Sequence, residues 1–162
     1  MKVKTFFAIA LLTALTASVY AQVPEKEKVL NTAKDQIMNF VKDLPDEGLA
    51  DYGFLNKKEF GKIKFDDPIP VYTIEDSTIV FTYTWRVPVV IDNEYRSLLT
   101  VVNENGVFKA TDFGACGLAK AYETGKTPKT FGMLRVYETK QDFLMEKNEA
   151  GNQVLKAMDF NR

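Results

Sequence analysis

Few side chains in this 162-residue sequence are suited to chemistry, and one type is missing: there is no histidine. That excludes a Ser-His-Asp triad, a Cys-His dyad and every zinc site that needs histidine. The single cysteine, Cys116, sits in the run Gly114-Ala115-Cys116-Gly117 at the expected start of a short helix. A helix N-terminus lowers a thiol's pKa and glycines permit close backbone approach, so one reading is a reactive thiol. The amides of Gly114 and Gly117 cradling an anion would be a related one. A nucleophile needs a base, and no histidine can serve. A small cysteine filling a tight strand-to-helix turn fits these residues better.

Arg86 is the other binding candidate, because it adjoins the only tryptophan, Trp85, and both types anchor interfaces. Alternation sends Trp85 toward the core and Arg86 to the opposite face. Glu94, Glu104, Asp112, Glu138 and Glu146 could serve glycoside hydrolysis by type, yet no spacing brings two of them together. Asp43, Asp46, Glu47 and Asp51 lack the alternating pattern of a calcium-binding EF-hand loop and read as a solvated acidic turn. Asp112-Phe113-Gly114 spells the kinase metal triplet without the rest of a kinase around it. No catalytic constellation, metal site or cofactor site is expected.

The elements that would position such residues are organised around 79–91. There every odd residue is large and apolar: Ile79, Phe81, Tyr83, Trp85, Val87, Val89 and Ile91. This period of two predicts a strand with those seven side chains in the core. At ~3.3 Å per residue it would run roughly 40 Å, and Pro88 lacks a donor, so a bend near Arg86 to Pro88 is expected, with Pro88 at an edge or bulge. Before it, Val29, Leu30, Ala33, Ile37, Phe40, Val41 and Leu44 form one stripe of a helix over 24–44, closed by Pro45 and Gly48. Residues 46–64 read as a loop with a helical turn at 56–60. Asp66-Asp67-Pro68 leads rigidly into a short strand at 71–74.

After the ladder, turns at 92–94 and at Asn105-Gly106 separate strands at 95–102 and 107–113, an antiparallel meander. A short helix at 118–123, a loop at 126–130 and a strand at 133–138 follow, with 143–145 as a further pairing segment. Val154, Leu155, Met158 and Phe160 have helical spacing in the tail. The resulting fold class is α+β. One long N-terminal amphipathic helix packs on a curved antiparallel sheet of about four to five strands, with a short inserted helix. In outline this is similar to cystatin-like modules, an architectural analogy that says little about function.

Lys2 and Lys4, an apolar run from Phe6 to Leu15 and Val19-Tyr20-Ala21 have the layout of a secretory signal peptide cut after Ala21. The apolar run is shorter than the ~20 residues of a membrane span. Gln22 follows the cut, where a lipoprotein would need cysteine, so the expected destination is periplasm or extracellular space without a lipid anchor. Residues 22–162 then form a single domain with no internal disulfide, and losing two lysines takes the formal charge from −1 to −3. That mild acidity argues against a nucleic-acid partner, and no later run reaches spanning length, so no stable membrane insertion is expected after cleavage. The residues point to an exported, non-enzymatic binding or interaction module, acting on an envelope or extracellular protein, a peptide or a small ligand in an inhibitor-like, pro-domain-like or ligand-binding role. The alternatives are a histidine-independent hydrolase using carboxylates and an assembly component that adds a strand to a partner's sheet.

Overall fold

Three two-residue turns set the first half of the chain. Asp76-Ser77, Asp92-Asn93 and Asn105-Gly106 all have positive φ, between 47° and 89°. That conformation matches the twist of the strands it joins, and Asn, Asp and Gly tolerate it best. In the computed structural model, which describes residues 22–158, these turns link β2 (Ile69–Glu75), β3 (Thr78–Ile91), β4 (Glu94–Glu104) and β5 (Val107–Gly114) into an antiparallel meander. Residues 1–21, where a signal peptide is expected, and Phe160 lie outside the described residues.

From β5 the chain crosses one face of the sheet through α3 (Cys116–Gly125), which follows α1 (Gln22–Gln36) and α2 (Met38–Val41) in chain order. It returns as β6 (Thr130–Val136) beside β2, and this pair is parallel, Val71 to Met133 and Tyr72 to Leu134. A parallel neighbour needs a long crossover, and the α3 segment supplies one. β7 (Gln141–Lys147) and β8 (Gln153–Ala157) follow as antiparallel neighbours. With β1 (Lys64–Phe65) alongside the end of β3, the order β5-β4-β3-β2-β6-β7-β8 makes one mixed eight-stranded sheet.

This overturns the expected fold class. The protein is mostly sheet, with eight strands rather than four to five, a parallel seam, and short helical segments in place of one long helix. The cystatin-like outline falls with it. The helix expected over 24–44 tightens at Ile37, where Phe40 N–H bonds to the Ile37 carbonyl at 3.0 Å, before the short α2. Its stripe is buried nonetheless, with Val29, Ala33, Ile37, Val41 and Leu44 all in the core. The tail residues 154 and 155 are strand, not helix. The hairpin before them turns on Asn148, whose side chain accepts the Asn152 N–H at 2.9 Å, and on Gly151 at φ +80°.

Both faces of the sheet are covered except at β8, so there are two cores. Trp85, Val87, Val89, Ile91, Leu99, Val101 and Phe113 pack with α1 and with Leu49 and Phe54. On the other face Ile69, Leu98, Met133 and Leu144 pack with Leu118, Ala119, Ala121 and Tyr122 of α3. The ladder at 79–91 therefore does not bury all seven odd side chains. Pairing of β3 with β2 jumps from Thr84 opposite Val71 to Phe81 opposite Tyr72, leaving Thr82 and Tyr83 as extra residues. Tyr83 takes φ +54° there, and it and Ile79 stay 59% and 36% exposed.

The irregularities fall at Tyr83 and opposite Val89–Val90 on β4, not at Arg86 to Pro88 as expected. Pro88 is buried and pairs with Leu98. Its carbonyl accepts the Asp66 N–H at 3.2 Å, so its donor-less nitrogen faces the gap where β2 gives way to β1.

Two 3-10 segments, Asp46–Tyr52 and Lys57–Lys62, close the α1 side, and Gly53 ends the first at φ +85°. A Cβ on Gly53 would lie 2.2 Å from the Arg96 carbonyl oxygen of β4, whereas one on Gly61 would meet nothing within 4 Å. Gly53→Ala should thus cost more than about 2 kcal/mol, combining backbone strain with a steric clash, while Gly61→Ala stays within about 0.5 kcal/mol. Urea-unfolding midpoints of the two variants against the wild type test this.

Candidate functional site

A cleft forms where the β1–β2 connection, the start of β4 and the end of α3 meet. It has a volume of about 420 Å³ and is lined by Asp66, Asp67, Tyr95, Tyr122, Lys126, Thr127, Pro128 and Thr130. Each element is fixed locally. Asp66 follows β1 and is held by its N–H to the Pro88 carbonyl. Tyr95 is the second residue of β4, and its N–H donates to Glu123 of α3 at 3.1 Å. Tyr122 is in the last turn of α3, and Lys126 caps that helix by donating its N–H to the Tyr122 carbonyl at 2.8 Å.

Tyr95 bridges an ion pair. Its hydroxyl donates to Asp66 Oδ2 and accepts from Lys126 Nζ, while Lys126 and Asp66 stand 3.3 Å apart. The Lys126 ammonium also lies 4.2 Å from the Tyr95 ring centroid, a cation–π contact. Burial and the hydrogen bond to Asp66 push the Tyr95 phenol well above its ordinary pKa. Burial alone would raise Asp66, but the Tyr95 hydroxyl, the Asp67 N–H and the Lys126 charge outweigh it and hold the carboxyl below its ordinary value. The trio is a closed donor–acceptor chain with a protonated phenol at its centre. Such a group orients and binds, and it is poorly placed to move a proton at neutral pH.

Tyr122 lies parallel to Tyr95, with ring centroids 6.4 Å apart. Its hydroxyl has no partner among the described residues, and burial raises its pKa to about 12. Thr127 and Thr130 on the rim both donate to Glu146 Oε1, at 3.1 and 3.0 Å. Asp67 is tied to Lys26 at 2.6 Å.

The residues singled out in the sequence lie elsewhere. Cys116 opens α3, at the end of that helix away from the cleft, after Ala115 in the left-handed conformation. Its thiol reaches the Asp51 carbonyl at 3.1 Å and Ser97 Oγ at 3.9 Å. Burial raises its pKa despite the Ser97 hydrogen bond, so the helix start does not produce a thiolate. Gly114, at φ +136°, lies against the Tyr52 ring, and Gly117 faces open space.

Arg86 is on the α3 face of β3, half-buried, with no hydrogen bond or ion pair among the described residues. Burial lowers its pKa, with Asp142 opposing and Arg135 adding to the effect. The structure does not bring Arg86 to the Cys116 turn. Asp142 is itself ion-paired to Arg135, with its second carboxylate oxygen buried and unpartnered.

The candidate carboxylates remain scattered. Glu94 and Glu104 are at opposite ends of β4, roughly 33 Å apart by strand rise. Among the described residues no three Cys, Asp or Glu converge in a way that could hold a metal ion. The cleft residues went unread because they join positions distant along the chain, Asp66, Tyr95 and Lys126, in what looked like a lead-in, a strand start and a loop. No local pattern marks them.

Because Tyr122 ionises near 10 when unfolded and near 12 when folded, the unfolded chain releases its proton first. The contribution of this group is complete below pH 10 and is lost as pH rises toward 12. The added slope should reach about 1.4 kcal/mol per pH unit. Urea unfolding across this range should show a shallower alkaline loss for Tyr122→Phe than for the wild type. No protein-family model matches the chain, and no curated protein or solved structure gives a significant match.

Proposed function

We propose that this protein is an exported, non-enzymatic binding module that holds a small polar ligand in the cleft of Asp66, Tyr95, Tyr122 and Lys126. The observation that carries this reading is the closed Asp66–Tyr95–Lys126 chain on the wall of a ligand-sized cavity. A cavity of this size with a few fixed polar groups suits recognition of a small molecule. The Tyr122 hydroxyl, without a partner among the described residues, offers a directional hydrogen bond. The carboxylate-hydrolase alternative lacks support here, since Asp66 and Asp67 are each engaged by a lysine.

A thermal-shift and native mass-spectrometry screen of small polar compounds should find ligands that raise the melting temperature. Thr127→Trp, which places a bulky ring at the exposed rim, should weaken them at least tenfold while the protein stays folded. Absence of any ligand, or turnover in a hydrolase panel that survives Thr127→Trp, would sink this reading.

Export rests on the charge and apolar pattern of 1–21. Fused to a reporter phosphatase that is active only outside the cytoplasm, this segment should give activity. N-terminal sequencing of the exported protein should begin at Gln22. Retention of the reporter inside the cell would refute export without touching the cleft.

A further inference from the structure

The two ends of the sheet are finished differently. At one end α1 packs against β5, and the Gln36 side chain accepts the Ala110 N–H at 2.9 Å, filling one position of that edge. At the other end β8 pairs only with β7, and all five of its residues are exposed. No described residue bonds to the outer side of β8, and the pairing with β7 is regular, without a bulge. The strand has no proline, and Val154 and Leu155 are 40% and 46% exposed. A bare, regular edge with apolar side chains is a template for another strand.

We infer that the outer edge of β8 pairs with the same edge of a second copy of this chain, antiparallel about a twofold axis through Leu155. Self-complementarity singles out this occupant. In that register Leu155 faces the second copy's Leu155, Val154 faces its Lys156, and Gln153 faces its Ala157. Opposed side chains on one face of an antiparallel pair have Cβ atoms about 5 Å apart, so the two leucines touch. Met145 is the β7 neighbour of Leu155, so the contact extends an apolar row from Met145 through both leucines to the second Met145.

On the other face Val154 is the neighbour of Glu146. Lys156 of the second copy then lies two strands, roughly 10 Å, from Glu146; meeting it would draw Lys156 Nζ from the Gly125 carbonyl 3.2 Å away, toward a carboxylate whose Oε1 already accepts from Thr127 and Thr130. No like charges are directly opposed. The interface is isologous and closes on itself, so it yields a dimer and not a fibre. Five paired residues per copy form a contact at the small end of specific interfaces, so the dimer should depend on concentration.

Sedimentation equilibrium of the exported chain, with hydrogen exchange at matched concentrations, tests this directly. The dimer fraction and the protection of the β8 amides should rise together. Leu155→Lys and Leu155→Glu should each be folded monomers, because like charges then meet on the twofold axis, and mixing the two should restore a dimer. The inference is overturned if the wild type stays monomeric at all concentrations. A dimer that Leu155→Lys leaves intact, or folded charge variants that fail to pair when mixed, would overturn it equally.

Discussion

The structure depends on the second half of β3, from Thr84 to Ile91, having partners on both sides. β4 pairs it from Thr84 to Ile91, while β2 and then β1 share the other side. A strand so placed has its backbone groups satisfied by ladders, which frees both faces for apolar packing. α1 uses one face and α3 the other. The extra residues Thr82 and Tyr83 and the change from β2 to β1 are where the long strand departs from regularity. They let one continuous segment serve two cores, and they leave Pro88 without an unmade bond on either side.

The same arrangement explains the cleft. Asp66 is held where β1 gives way to β2, Tyr95 just after the β3–β4 turn, and Lys126 just after α3 has crossed the sheet. Three chain segments that share no local sequence pattern thus end at one place because β3 and α3 fix their ends. Mutual satisfaction makes burial of the Tyr95 phenol tolerable: its hydroxyl is partnered on both sides, while the Lys126 and Asp66 side chains stay 36% and 45% exposed.

Legibility of the sequence followed the range of the forces involved. The hairpin at Asn105-Gly106 and the strands around it were readable, because turn chemistry and alternation are local. So was the apolar stripe from Val29 to Leu44, though not the tightening at Ile37 that divides its helix. The fold class was misread at two points. Val154 and Leu155 carry a spacing that suits a helix, and only pairing with β7 decides otherwise. The parallel seam of Val71 with Met133 is set by the route of α3 across the sheet, which no local window contains. Trp85 was correctly assigned to the core. Tyr83 was exposed not by any feature of its own but by a jump in pairing with β2, and Ile79 lies near the start of β3, beyond Phe81, which still packs on the core. Of the candidate site, Cys116, Gly114, Gly117 and Arg86 drew attention through residue type, whereas Asp66, Tyr95 and Lys126 are ordinary residues made notable by convergence.

The seam between β2 and β6 also bears on how the chain reaches this state. The Thr73 hydroxyl of β2 bonds to the Arg135 carbonyl of β6 across 62 positions of sequence, while the turns from β2 to β5 close within two residues. Loop-closure entropy disfavours the distant contact until the local hairpins exist to receive it. Until β6 docks, β2 has an unpaired inner edge, and the lone Cys116 can form no disulfide to hold the two halves together. The exposure that matters for aggregation therefore lies inside the finished sheet, at a place where the folded molecule shows nothing.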